Sequence, residues 1–501
     1  MSAGTGPITR PLAFVHGLGS IAYGIKDNGF STFLLLYCNL VLGMDPRAVS
    51  LVLMLALVVD GVADPLIGYL SDRTHSRWGK RLPWLYAAPI PLAIFWAILW
   101  SLPTAPGFWE LLGLAVAVRV LISACEVPSV ALVPELTRDY DERTTLMRYR
   151  FLFGWGGGLL ALYLAYNVFL SDSLLDEKGY RDYGLFGAVL MAGTVLVSAL
   201  GQHRRIAVPS PPAQTPFRLS TAFSELRESF SHKAFLVLLA GGGLAYTSQG
   251  ITFSLSNYLY LFVWRLPLTE WSISLKRIVV DWSTLRISLE PSVWIITAMK
   301  LYPVVLFLSV VVCFLTLGAM HKRWGKRDTA AVTALIGAVF WVLPFFLRWQ
   351  GLWPHEGTSA STIPLFALFF LSNWFSVAAM ISASSMVADV VEASEEKTGR
   401  RSEGAFFAGN MFMAKCATGL GIFATGMMLS FAGLPEKAKP GEVDPAVINT
   451  LSLTYAAVVS VFAVLIALVL RHFPITRADH EARLAALAAA RVSLDGEGMH
   501  P

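Results

Sequence analysis

Asp60 and Asp64 stand four residues apart inside an otherwise apolar stretch. On an α-helix that spacing places both carboxylates on one face. A charged side chain at the centre of a membrane helix costs roughly 2.5 to 3.5 kcal/mol on insertion scales, so two together need a compensating partner. A cation meets that need: clustered oxygens suit Na+, and an acid pair holding one proton carries H+ equally well. Pro65 supplies a further oxygen, because it cannot donate to the carbonyl of Gly61 one turn earlier. The plainer alternative is a salt bridge from one aspartate to Lys26 or Arg119 for structure alone.

More ionisable groups lie deep in apolar segments: Lys26 and Asp27 in the first, Arg119 and Glu126 in the fourth, and Lys415 in the eleventh. Such groups face a bundle interior or an aqueous cavity and pair with one another. Arg119, Ser123 and Glu126 recur at i, i+4 and i+7, so a cation, a hydroxyl and an acid line one wall. Paired acids and bases among hydroxyls hold sugar hydroxyls by charge-assisted hydrogen bonds, and the same set could clasp a zwitterionic or anionic headgroup. Tyr246, Ser248, Gln249, Thr252, Ser256 and Asn257 extend the polar wall, although Ser and Thr in such helices commonly bond back to carbonyls.

These groups require a membrane scaffold, and the composition supplies one. The chain has 501 residues, 55% hydrophobic and only 15% charged, with mean hydropathy +0.59, against about 25% charged in soluble domains. Apolar runs of span length fall at about 12–43, 48–71, 83–102, 108–133, 146–170, 184–203, 234–264, 292–320, 328–348, 361–388, 403–432 and 446–471, which predicts twelve helices. Residues 1–11 lack the pattern of a cleavable leader, so the first helix is expected to remain in the mature chain. Cys38, Cys125, Cys313 and Cys416 all lie in apolar segments, which predicts small hydrophobes and no disulfide framework. Lys and Arg concentrate in the loops after even-numbered helices, placing both termini in the cytoplasm.

The run Arg77-Trp78-Gly79-Lys80-Arg81 recurs as Arg323-Trp324-Gly325-Lys326-Arg327, each copy after the second helix of a six-helix half, which predicts two homologous halves. In the first copy Asp72 is expected to cap the turn or pair with Arg73 and Arg77, while Gly79 and Gly325 permit tight turns. The alternative to a plain positive anchor is a conformational latch built on Asp72, Arg77, Gly79, Arg323 and Gly325. The expected organisation is a bundle over 1–203, a cytoplasmic linker over 204–233, a second bundle over 234–473 and a tail over 474–501. An external insertion near 265–291 reads as an amphipathic segment lying on the surface.

The run Asp60-Gly61-Val62-Ala63-Asp64-Pro65-Leu66-Ile67-Gly68-Tyr69, with Ser76-Arg77-Trp78-Gly79-Lys80 after it, resembles the second helix and following loop of the glycoside-pentoside-hexuronide:cation symporters, a branch of the major facilitator superfamily. Tyr23-Gly24, Lys26-Asp27, Glu126-Val127-Pro128, Tyr149-Arg150-Phe151, Met386-Val387-Ala388-Asp389 and Lys415 extend the resemblance over nearly the whole chain. It implies an all-α, twelve-helix major facilitator fold in which Asp60, Asp64 and Ser123 hold the cation, Lys26, Asp27, Glu126 and Arg150 face the sugar, and Lys415 lies near both sites. Three features depart from the family pattern: Glu126 replaces an aspartate, Ala63 an asparagine, and Val130 and Met380 stand where tryptophans flank the sugar.

Together these observations predict a multi-pass protein of a bacterial-type plasma (inner) membrane, a monomer that couples Na+ or H+ to symport of a sugar or glycoside by alternating access. Lys26, Asp27, Arg119, Glu126, Arg150 and Lys415 are the candidate substrate residues. No cofactor beyond the coupling ion and no nucleic-acid partner is expected, only substrate and membrane lipid. A carrier of a lysolipid or other amphiphile is the alternative, and a non-transporting membrane sensor is the alternative of another class. An enzyme is not expected: HExxH, GxSxG and P-loop signatures do not occur.

Overall fold

The computed structural model describes residues 8–137, 139–206, 233–281, 286–398 and 403–474. The linker expected over 204–233 and the tail over 474–501 lie almost wholly outside the described residues. Among the described residues, ten helices are long and apolar enough to cross a membrane. One of them, Ala298–Trp349, runs 52 residues but leaves helical geometry at Gly325, where φ is 73° and ψ 170°. The Thr329 hydroxyl donates back to the Met320 carbonyl, nine residues earlier, at 3.4 Å. In a straight helix nine residues span about 13 Å, so this element folds back as two arms.

The remaining crossing is the first, residues 10–41, which helix length alone misses. It is broken into short α-helices, Arg10–Leu18, Ile21–Asn28 and Leu34–Leu36, joined by π-helical turns at Gly29–Phe33 and Tyr37–Val41. π-turns inside helices mark places where side chains are re-aimed, frequently at functional sites.

The crossings are therefore α1 (10–41), α2 (Pro46–Arg73), α3 (Leu82–Leu99), α4 (Phe108–Ala131), α5 (Tyr140–Leu164, continued by a π-turn Ala165–Phe169), α6 (Glu177–Ile206), α7 (Lys233–Tyr258, continued by a π-turn Leu259–Val263), α8 (298–324), α9 (326–349), α10 (Ser359–Thr398), α11 (Glu403–Ala432) and α12 (Pro445–Arg471). Both α2 and α12 open with an aspartate, Asp45 or Asp444, whose side chain accepts from the backbone N–H two residues on, followed by proline at the first helical position, a strong start signal. Within the first half α1 packs on α5 and α6, and α2 on α4; in the second, α7 packs on α11 and α12, and α8 and α9 on α10. Gly24 lets α1 lie against α5, since a Cβ there would run into the Gly154 carbonyl. Small residues of this kind let membrane helices approach closely.

Between α7 and α8 the structure replaces the expected surface-lying amphipathic segment with a β-hairpin. Strand β1 (Glu270–Asp281) pairs antiparallel with β2 (Arg286–Thr297), from Glu270 opposite Thr297 to Asp281 opposite Arg286. Consequently α8 begins at Ala298, not near 292. The periods of 2 and 3.6 are hard to separate over so short a run, and pairing with a partner strand decided it.

The two copies of the loop motif take the turns expected of them, with Gly79 at φ 87° and Gly325 at φ 73°. Arg77 lies over Trp78 at 5.0 Å and Arg323 over Trp324 at 6.0 Å. Asp72 pairs with neither Arg73 nor Arg77: its Oδ1 meets Arg81 Nη2 at 2.9 Å, and Arg81 Nη1 meets Glu135 at 3.1 Å. The turn at Gly79 carries Arg81 back over the end of α2, where it ties that helix to the short turn Val133–Leu136 that follows α4. The position offset by 246 from Asp72 is Gly318, so this carboxylate has no counterpart in the second copy.

Candidate functional site

Three layers of charge are stacked where α1, α2, α4, α5 and α11 meet. The deepest is built on Asp60, which is 0% exposed. Ser123 Oγ donates to its Oδ1 at 2.6 Å, Arg119 Nη1 lies 3.4 Å from its Oδ2, and Lys415 Nζ lies 3.0 Å from the same oxygen. Lys415 also donates to Asp64 Oδ2 at 2.6 Å. Asp64 Oδ1 is buried without a partner among the described residues. The arrangement holds two carboxylates, a hydroxyl and two cations, one of them supplied across the interface from the second half. The Arg119 guanidinium is further held over the Phe30 ring at 4.4 Å, a cation–π contact that helps keep a buried charge.

One turn along α4 and α1 comes the second layer. Lys26 Nζ lies 2.9 Å from Asp27 and 3.7 Å from Glu126. Of the two partners the salt-bridge alternative offered, Arg119 meets Asp60 and Lys26 does not, and Lys415 joins Arg119 there. The third layer is Arg150, 6% exposed. Its Nη1 donates to Ser129 Oγ at 2.7 Å and its guanidinium sits 5.6 Å from the centre of the Tyr23 ring. Among the described residues no carboxylate lies within ion-pair distance of it.

The layering follows from the antiparallel course of α1 and α4. Arg119, Ser123 and Glu126 do share the wall their spacing predicted, and Ser129, three residues on, continues it. Phe30, Lys26 and Tyr23 descend α1 in matching steps. Ser129 and Phe30 were not singled out in the sequence, yet both were legible, lying one turn from Glu126 and Lys26 respectively. On α7 the polar residues divide: Ser256 donates back to the Phe253 carbonyl, Thr252 accepts from Tyr455, and Asn257 reaches α1. Met380 lies on α10, and Val130 remains 41% exposed on α4.

The halves are sealed at the end carrying the loops after α1 and α11. Asn257 Nδ2 donates to the Thr32 carbonyl at 3.0 Å, Tyr166 donates to Asn257 Oδ1 at 2.7 Å, and Tyr258 donates to Asn39 Oδ1 at 3.1 Å. Arg47 Nε bonds Ser430 Oγ. Gly426 sits against α2 so closely that a Cβ would meet Ser50 and the Pro46 carbonyl.

Residues 15–277 and 296–477 match the family model described as MFS/sugar transport protein, a match that covers the layered site and breaks within the hairpin. The chain belongs to that family. An uncharacterized symporter of Synechocystis is 28% identical, covering 93% of this chain and 94% of its own. An isoprimeverose transporter of Lactiplantibacillus pentosus is 24% identical over 86% of this chain and 85% of its own. A glucuronide carrier protein homolog of Escherichia coli is 24% identical, with 92% of each chain covered. Among solved structures the nucleoside transporter NupG superposes with TM-score 0.60 at 15% identity, covering 93% of this chain and all of the other, a likeness of fold. This member of the MFS/sugar transport family is thus an integral, multi-pass transporter of the symporter type, as its resemblance to the glycoside-pentoside-hexuronide:cation symporters implied, and not an enzyme.

Proposed function

We propose that the protein couples Na+ or H+ to uptake of a sugar or glycoside, with the ion held at Asp60, Asp64 and Ser123 and the sugar at Lys26, Asp27, Glu126 and Arg150. The observation that carries this reading is Asp60, fully buried yet bound by groups from both halves. An acid so placed costs several kcal/mol to bury unless it is compensated, and here the compensation is movable. Lys415 occupies the acid pair as a tethered cation. When Na+ or H+ neutralises Asp64, Lys415 keeps only Asp60, which Arg119 already pairs, and the contact between α2 and α11 loosens. An ion that alters an interface between halves is the coupling that rocking-bundle transport requires.

The sealed end carries the loops opposite the termini. With Arg and Lys concentrated on the terminal side, that side is cytoplasmic, and this conformation opens inward. On the substrate side, Lys26 already satisfies the cationic need of Asp27 and Glu126. What those carboxylates retain is acceptor capacity for hydroxyl donors, while Arg150 offers donors to a ring oxygen or an acidic substituent. A wall of this kind favours a hydroxyl-rich ligand over an acyl chain. One charge crossing 100 mV releases about 2.3 kcal/mol, enough for roughly fortyfold accumulation.

The test is uptake into membrane vesicles of neutral and acidic monosaccharides and glycosides, each with a Na+ gradient, a proton gradient or neither. Gradient-driven uptake of at least one sugar, lost in Asp64→Asn, is expected. Uptake of lysophospholipid with no response to any sugar would overturn the sugar reading. Gradient dependence surviving in Asp64→Asn would overturn the ion site.

A further inference from the structure

Val130 on α4 and Met380 on α10 carry no aromatic ring. A sugar ring has an apolar C–H face as well as a hydroxyl edge, and the charged layers on α1, α4 and α5 serve only the edge. A site for a sugar needs an apolar surface somewhere else, and α7 presents one.

Two sides of α7 are committed to its own half. Gly250 and Ser254 pack on α11, the latter through a 2.7 Å bond to Thr425, while Gly241 meets Leu470 and Thr252 meets Tyr455 at 3.1 Å on α12. Tyr246 is likewise held by a hydrogen bond to Asn410 of α11, and the strip beyond it carries Gln249 and Phe253, four residues apart, and ends at Asn257. Asn257 points at the first half, donating to the Thr32 carbonyl of α1. Four residues back from that anchor, about 6 Å along both parallel helices, Phe253 comes level with Asp27 and Asn28, on the open side of the seal. Its side chain is 45% exposed and has no ring partner among the described residues. Gln249 follows one turn further from the seal.

We propose that Phe253 and Gln249 form the second wall of the substrate site, the phenyl ring covering the C–H face of the sugar and the amide reading a hydroxyl on its edge. The inference rests on the sugar reading above and adds the specificity residues of the opposite half. The stacking surface then lies on α7, opposite Asp27. An electron-rich ring face attracts polarised C–H groups, which an aliphatic side chain of similar size cannot reproduce.

That difference supplies the experiment. Affinities of 4-nitrophenyl glycosides of xylose, glucose, galactose and glucuronic acid are measured on the purified full-length protein, with KM and maximal rate from vesicles for those that bind. Phe253→Leu is expected to weaken binding about fivefold to tenfold and to raise KM more than it lowers the maximal rate, while Phe253→Trp and Phe253→Tyr keep the affinity within about twofold. A Leu variant binding as well as the parent overturns the proposal, because a lipid-facing or merely packed ring tolerates leucine. Should Phe253→Leu fold poorly, Phe253→Cys decides: a water-soluble maleimide added from the terminal side labels it and bound glycoside slows the labelling, whereas a thiol facing lipid stays unlabelled. Loss of sugar binding in Asp27→Asn with an indifferent Phe253→Leu removes the α7 wall alone. Failure of the parent to bind any glycoside removes the sugar reading and this inference together.

Discussion

Asp60→Asn removes one charge from a buried quartet and leaves Arg119 and Lys415 facing a single carboxylate. At 3.0 Å from Lys415 and 3.4 Å from Arg119, with its own exposure at 0%, Asp60 is screened little by solvent. Breaking a buried ion pair from one side costs about 3 to 5 kcal/mol, most of it from the charge left behind. The single variant should therefore melt several degrees lower in detergent and show no gradient-driven uptake. Removing the opposite charge as well, in Asp60→Asn with Lys415→Met, leaves one cation, Arg119, and one carboxylate, Asp64, in the cluster and restores charge balance. Most of the lost stability should return, giving a coupling term of roughly 2 to 3 kcal/mol in a double-mutant cycle, but ion-driven uptake should stay absent. Melting curves of the four proteins in ion-free buffer, alongside vesicle uptake, measure both quantities. If the double variant is less stable than either single one, or if Asp60→Asn still responds to an ion gradient, the charge-balance argument is refuted.

Further outcomes follow from single contacts. Gly426→Leu forces α11 away from Ser50 and Pro46 and should bias the carrier toward the conformation open at the sealed end, read as a longer distance between spin labels at positions 47 and 430. Gly325→Ala places a side chain at φ 73° and ψ 170°, a region kept for glycine, and should cost about 1 to 3 kcal/mol in thermal unfolding. Arg81→Ala cuts the links to Asp72 and Glu135; with Arg81 mostly buried but both partners solvated, the loss should stay near 1 kcal/mol, and substrate affinity measured on the same sample should hold. Asp64→Asn, at a carboxylate 24% exposed, should destabilise less than Asp60→Asn while abolishing ion stimulation equally, by the same two assays.

Much of the site was legible because its residues are improbable where they stand. Charges in apolar helices announce themselves, and the four-residue and three-residue steps of α2 and α4 fix which of them share a face. The pairing was not legible. Asp60 was expected to meet Lys26 or Arg119, and it meets Arg119 and Lys415, the latter 355 positions along the chain; the steps on α1 give Lys26 to Asp27 and Glu126. Asp72 chose Arg81 over its nearer neighbours because the turn at Gly79, not proximity in sequence, decides which guanidinium comes back over the helix end. The first crossing escaped helix length because π-turns interrupt it, and the hairpin after α7 escaped because strand pairing is a contact between segments.

The sequence by itself determined a membrane-embedded, two-half transporter with an acid pair at its centre, since hydropathy, loop charge and helical spacing are local properties. Only the tertiary structure decided that Lys415 fills that acid pair from the opposite half and that Asn257 ties α7 to the Thr32 carbonyl of α1. Each is a contact across the seam between two bundles, and where two bundles meet is set by close packing at positions such as Gly426 and Asn257, which no local pattern encodes.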